Sequence, residues 1–228
     1  MLKNILLDLD DTILDFHKAE KAAVKKALTA LGIRHDEEVL ARYSVLNLAQ
    51  WKLLEQGKLT RPEVKVRRFE LLFSELGCDC SAEKAAAVYE GLLGIGHYFI
   101  DGAEEMLREL SKDYPLFLAS NGTASVQQGR IKSAGIEKYF AGIFISEQIG
   151  FNKPDARFFE YCFKHMPDFK KEETVIIGDS LSSDIQGGIN SGIRTVWFNP
   201  SGKTAPAETM PNYQISRLCE LNELVKQL

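Results

Sequence analysis

The stretch Asn4-Ile5-Leu6-Leu7-Asp8-Leu9-Asp10-Asp11-Thr12-Ile13-Leu14 decides the fold. Ile5 to Leu7 are apolar without alternation, as in a short strand buried on both faces of a parallel sheet. The run meets Asp8, Asp10 and Asp11 at once and no small-residue cleavage site follows, so it reads as a strand and not as a signal peptide. Comparable short runs recur at 116–119, 143–145, 175–177 and 195–198. Helix candidates alternate with them at 101–112, opened by Asp101 with Glu104 three residues on, and at 124–134, 156–165 and 184–191. Alternating strands and helices predict an α/β fold with a Rossmann-like, doubly wound parallel sheet.

Between the first and second strands the pattern changes. Pro62 is the only proline before residue 115, and six follow from there on. Val24, Leu28 and Leu31 share a helical face before Gly32. Thr60 and Glu63 have capping-box spacing, and Val66, Phe69, Leu72, Phe73 and Leu76 continue at helical period to Gly77. About four helices are expected, forming an all-α insertion at residues 16–97 in a core made of residues 1–15 and 98–228. Leu218, Leu221, Leu224 and Val225 predict a last amphipathic helix that seals the sheet.

Composition narrows the function. The 228 residues are 45% hydrophobic and carry a net charge of -4, with no run of five or six like charges to attract nucleic acid or an anionic membrane. No apolar stretch approaches the roughly 18 residues needed to span a bilayer. Cys78, Cys80, Cys162 and Cys219 lack metal-site spacing and are expected to be buried free thiols in a cytoplasmic protein. A small molecule is the expected partner.

Ligands of an open parallel sheet bind beyond the carboxyl ends of its strands. Those ends read Asp8-Leu9-Asp10-Asp11-Thr12, Ser120-Asn121-Gly122 and Gly178-Asp179-Ser180, with Asp184 five residues beyond Asp179 and Lys153-Pro154 after the third strand. Two carboxylates about 4 Å apart repel by roughly 4 kcal/mol at an effective dielectric of 20. Asp8, Asp10, Asp179 and Asp184 therefore need compensation that one lysine does not provide. A divalent cation supplies it, and oxygen-only donors favour Mg²⁺. Because Mg²⁺ commonly takes one or two carboxylates plus a substrate phosphate, a phosphate ester is the expected substrate.

These segments, in this order, resemble the four motifs of the haloacid dehalogenase superfamily: the Asp8 to Leu14 stretch, Ser120-Asn121-Gly122, Lys153-Pro154, and Gly178 to Asp184. The resemblance covers about residues 4 to 200, and the insertion is similar to that superfamily's helical cap. It implies that Asp8 is a nucleophile forming an aspartyl-phosphate and that Asp10 is the general acid and base. Ser120 and the Asn121 backbone amide would bind phosphoryl oxygens beside Lys153. Mg²⁺ would be held by Asp8, the Asp10 carbonyl and Asp179, with Asp184 orienting Lys153 or a metal-bound water.

The insertion also resembles the cap of 5'-nucleotidases that act on pyrimidine and non-canonical nucleoside monophosphates. Trp51 could stack on a base or simply pack inside the cap; Asn47 could read a polar edge, and Arg67 or Lys52 could meet an anion. Phe16 and His17 lie where the chain passes into the cap, with hinges expected at 14–18 and 96–102. A phosphatase of sugar phosphates or other small metabolites, or a phosphomutase, shares every core motif. Dehalogenases lack an acid at the position of Asp10. Receiver domains are about half this length and lack the insertion, and the Gly178-Asp179-Ser180-Leu181 block is not an esterase site because no histidine follows His165.

Overall fold

The computed structural model describes residues 2–228. Six parallel strands form one sheet: β1 (Asn4–Leu7), β2 (Leu116–Ser120), β3 (Phe140–Ile145), β4 (Thr174–Gly178), β5 (Arg194–Phe198) and β6 (Tyr213–Ile215). Their order is β3-β2-β1-β4-β5-β6, so the direction of winding reverses between β1 and β4. A crevice opens at such a reversal, beyond the strands' carboxyl ends. In register, Leu7 of β1 pairs with Leu118 of β2 and Ile177 of β4, so the segments that follow these strands leave the sheet together.

Alternation along each strand builds two cores. Ile5, Leu7, Leu116, Leu118, Val175 and Ile177 face one side and meet Ala103, Met106, Leu107 and Leu110 of α5 (Ala103–Asp113). Leu6, Phe117, Ala119 and Ile176 face the other side and meet Phe158, Phe159 and Cys162 of α8 (Ala156–Lys164). Both faces are covered, which accounts for strands without polar alternation.

Four helices intervene between β1 and α5: α1 (Phe16–Ala30), α2 (Glu37–Glu55), α3 (Arg61–Leu76) and α4 (Ala82–Leu93). They pack on a core of their own, in which the rings of Tyr43, Phe69 and Tyr89 meet at tilted and edge-on angles with centroids 5.0 to 5.7 Å apart. Glu63 reaches back to the Thr60 amide at 2.7 Å, as the capping spacing predicts. Beyond β2 lie α6 (Ala124–Ala134), α7 (Ser146–Ile149), α9 (Gln186–Ser191) and α10 (Leu221–Leu224). α6 touches both worlds: Val126 joins the cap core and Ile131 the sheet core.

Several expectations need correction. α5 starts at Ala103 behind Gly102 at φ 78°, a left-handed conformation suited to glycine, so Asp101 is not its cap. The helix expected from Asp184 begins earlier, as a wide π-helical turn (Leu181–Ile185) that runs into α9. The final amphipathic helix is broken into short turns, although Leu218, Leu221 and Val225 are buried against the sheet core. The sixth strand was not expected. Only Cys162 is a buried thiol; Cys78 and Cys80 are half-buried and Cys219 is exposed. No helix among the described residues is long and apolar enough to cross a membrane.

Candidate active site

Asp8 is the first residue beyond β1, and its amide donates to the Ile177 carbonyl at 2.9 Å. Its side chain is buried with one oxygen 2.7 Å from Lys153 Nζ. The same ammonium reaches Asp184 Oδ1 at 2.6 Å and the Ala119 carbonyl at 2.5 Å. All three of its protons thus have acceptors, on a lysine only 1% exposed. Asn121 fixes the lysine's backbone: Nδ2 donates to the Lys153 carbonyl and Oδ1 accepts from the Lys153 amide, each at 2.8 Å. The second and third motifs are therefore joined before any ligand arrives.

Gly178 makes the fourth motif possible. A Cβ there would lie 2.2 Å from Asp184 Oδ2 and 2.7 Å from Asp184 Cβ, so only glycine lets Asp184 fold back over β4. Asp184 Oδ2 also accepts from the Ser180 amide at 3.1 Å. Asp179 is held through its backbone: its amide donates to Thr12 Oγ1 at 3.1 Å, and its carbonyl accepts from Trp197 Nε1 at 2.8 Å. Asp11, at φ 57°, turns the chain out of the site and accepts from the Phe16 amide at 2.8 Å.

The charges do not balance. Carboxylate oxygens of Asp8, Asp179 and Asp184 lie within 4.8 Å of one another. Lys153 serves Asp8 and Asp184, but among the described residues no Lys, Arg or His forms an ion pair with Asp179. Burial, then the charges of Asp8, Asp184 and Asp11, push the Asp179 carboxyl well above the usual range, with Lys153 opposing weakly. Burial likewise raises Asp8 against the pull of Lys153, and Asp184 and Asp10 add to the rise. An oxygen-only cluster short of positive charge fits a hard divalent cation.

Asp10 lies two residues beyond Asp8 and is half-buried. Its carboxylate accepts from Arg130 Nη1 and, at 2.6 Å, from Gln127 Nε2. The same Gln127 nitrogen donates to Ser120 Oγ at 2.7 Å. Neither α6 residue was anticipated. The available signal is the face of α6 itself, where Gln127 and Arg130 are buried beside Val126 and Ile131 at helical spacing. A glutamine and an arginine on a face that should be apolar need polar partners, which here are Asp10 and Ser120.

The cap supplies a further unanticipated residue. Arg61, the first residue of α3, donates through Nη1 to the Asn121 and Gly122 carbonyls at 3.2 and 3.0 Å. Through Nη2 it reaches Ser146 Oγ and Asn152 Oδ1, both at 2.8 Å. Its guanidinium stands 5.5 Å from the centroid of Trp51, which is half-buried beneath it. Phe16 lies under Arg130 at 5.7 Å, and exposed His17 faces Asp11 at 3.4 Å. The Asn47 amide is buried inside the cap, donating to Glu20 at 2.6 Å and accepting from Arg68 at 3.0 Å. Arg67 and Lys52 are exposed.

Against known proteins, residues 5–198 match the model of the haloacid dehalogenase-like hydrolases. The chain is 37% identical over 223 residues to the HAD-hydrolase YfnB of Bacillus subtilis, covering 98% of this chain and 95% of that one. It is 38% identical over 214 residues to the pyrimidine 5'-nucleotidase PynA of Streptococcus pneumoniae, covering 93% and 90%. A crystal structure of YfnB bound to magnesium superposes with a TM-score of 0.94 over 98% of both chains. A match this long, on motifs that meet at one sheet edge, makes the protein an enzyme of the haloacid dehalogenase-like hydrolase family, of its phosphatase class.

Proposed function

We propose that the protein is a Mg²⁺-dependent nucleoside 5'-monophosphate phosphatase acting through an aspartyl-phosphate on Asp8, in the cytoplasm, with residues 16–97 serving as its cap. The observation that carries the chemistry is Asp8, buried at the switch point with one oxygen bonded to Lys153 at 2.7 Å. Asp8 attacks phosphorus, an Oδ–P bond forms, and the P–O bond to the leaving group breaks while Asp10 gives that oxygen its proton. Asp10, now a carboxylate, takes a proton from water. The water oxygen bonds to phosphorus, the Oδ–P bond breaks, and inorganic phosphate leaves Asp8 as it began.

Ser120, the Asn121 amide and Lys153 bind phosphoryl oxygens during both transfers. Asp8, the Asp10 carbonyl and Asp179 would hold Mg²⁺, which when bound neutralises charge on the phosphoryl group. Asp184 keeps Lys153 in place, 2.6 Å away. Closure of the cap excludes bulk water from the acyl phosphate.

The nucleotide preference is supported by PynA, a pyrimidine 5'-nucleotidase related over 93% of this chain. Trp51 and Phe16 are the candidate contacts to the nucleoside, with His17 beside Phe16. A phosphatase of small metabolites is the second reading, favoured by two observations: the Asn47 amide is committed to Glu20 and Arg68, and Arg67 is exposed. Phosphate release from a panel of nucleoside monophosphates and sugar phosphates, with Mg²⁺ in excess, separates the two. Nucleoside 5'-monophosphates should give the highest kcat/KM, and Asp8→Asn should abolish release from all. A flat panel or a sugar phosphate at its head removes the nucleotidase; activity in Asp8→Asn removes the nucleophile.

A further inference from the structure

Gln127 and Arg130 stand one turn apart on α6, 2% and 0% exposed, and reach across 117 and 120 residues of sequence to the same carboxylate. A buried polar side chain must recover the bonds it gave up to water, so the partners it takes are informative. Their partners are the two side chains that must be aimed before a phosphate ester can react, Asp10 and Ser120.

The donors and acceptors fix the direction of every bond. The Gln127 carbonyl accepts from Arg130 Nη1 at 3.2 Å, so its NH₂ faces Asp10 Oδ2 at 2.6 Å and Ser120 Oγ at 2.7 Å. The reverse orientation would set a carbonyl against a carboxylate and an NH₂ against a guanidinium. Ser120 Oγ also accepts from the Gly122 amide at 3.3 Å. Both lone pairs of that hydroxyl are then in use, and what it has left to offer a ligand is its proton. A phosphoryl oxygen is an acceptor and takes it. Asp10 accepts one bond at each oxygen, which holds the carboxyl plane while leaving a lone pair on each, one to carry the proton given to the leaving oxygen and then taken from water.

Room for this arrangement comes from Gly122, where a Cβ would stand 2.3 to 2.4 Å from the Gln127 side chain. Arg130 adds a connection to the cap. Its Nε donates at 3.1 Å to the carbonyl of Gly96, in the segment that returns from α4 to the core. That segment is tied to the outgoing one, the Asp15 amide donating to the Tyr98 carbonyl at 2.7 Å.

We infer that Gln127 and Arg130 are positioning residues for the reaction, Gln127 aiming Asp10 and the Ser120 hydroxyl together and Arg130 locking both to the returning cap segment at Gly96. This rests on the reading of Asp10 as the acid and base given above. The test compares kcat/KM on uridine 5'-monophosphate and glycerol 2-phosphate, whose alkoxide leaving groups need a proton, with p-nitrophenyl phosphate, whose phenolate leaves without one. Gln127→Met and Arg130→Met should each lose about 10- to 100-fold on the alkyl esters, a fraction of what a general acid supplies. On p-nitrophenyl phosphate the loss should be under threefold to fivefold, about the level of a change in binding alone. Arg130→Lys should recover part of the alkyl-ester activity. In Gln127→Met, inhibition by inorganic phosphate should weaken severalfold as Ser120 loses its aim.

Equal losses on all three esters that track a fall in Tm would make the pair structural and overturn the inference. So would full alkyl-ester activity in Gln127→Met, the variant that buries no charge, or unchanged phosphate inhibition in it. Asp10→Asn is the separate control. If it spares the alkyl esters, the acid-base reading fails; if it removes their turnover while both methionine variants are unaffected, only the positioning inference fails.

Discussion

Single residues set the tolerance of this site, and Gly178 has the least. The atoms an alanine methyl would strike include Asp184 Cβ, which no change of rotamer moves away. Gly178→Ala should lower phosphate release at least tenfold and destabilise the fold by about 2 kcal/mol, read by urea unfolding. Trp197 offers a direct view of the proposed metal site, because its ring nitrogen is bonded to the Asp179 carbonyl. In a Trp51→Phe background, added Mg²⁺ should change its fluorescence saturably. Asp179→Asn should abolish the change, and an unaltered titration there would remove Asp179 from the ligand set. The acidic residues were legible because strand ends present them in a fixed order. Lys153 alone looks like a solvated charge, and only its company at the sheet edge marked it. Gln127 and Arg130 were missed since they lie seven and ten residues past Ser120, on a helix whose polar residues look like solvent contacts.

At the scale of elements, the two passages between cap and core carry the measurable energetics. Asp15 caps α1, accepting from the Lys18 amide at 2.8 Å. Burial alone would raise its carboxyl, but the Lys18 amide and ammonium outweigh it and hold the group below its usual value. Its contribution is therefore present above the unfolded pKa of about 4 and lost as pH falls through the lower folded value. Asp15→Ala should cost about 1 kcal/mol at pH 7, and the difference from wild type should shrink in unfolding curves at pH 3. Arg61 latches the cap onto the Asn121-Gly122 loop. Arg61 makes four hydrogen bonds to the core, and losing even one charged hydrogen bond of about 1.5 kcal/mol shifts a docking equilibrium about tenfold. Arg61→Ala should thus speed proteolysis of the returning segment, 94–99, by at least that factor; an unchanged cleavage rate would mean that the latch does not hold the cap. Element ends were the least legible part. β6 has one buried residue of three, too little pattern to announce a strand, and α5 starts on a left-handed glycine that competes with the acidic spacing at Asp101.

For the whole molecule, one fact about the chain order organises the rest: the helices of α1 to α4 are spliced in directly after the strand that delivers Asp8. Any hinge motion of these helices would therefore act on the residues beside Asp8, the proposed nucleophile, through Asp11, Phe16 and Arg130. The sheet and the insertion could be read from periodicity, since a strand buried on both faces and a helix with one apolar face leave different patterns. The packing of cap on core could not, because Arg61 and Arg130 act across the fold on partners 60 to 120 residues away. The central claim is that phosphate passes through Asp8. It is tested most directly by quenching the enzyme in acid during turnover with Mg²⁺ and substrate, then weighing the peptide that contains residues 4–18. One phosphoryl group on Asp8, absent in Asp8→Asn and discharged when substrate runs out, is the predicted result. Steady phosphate release with that peptide unmodified at every quench time would contradict it.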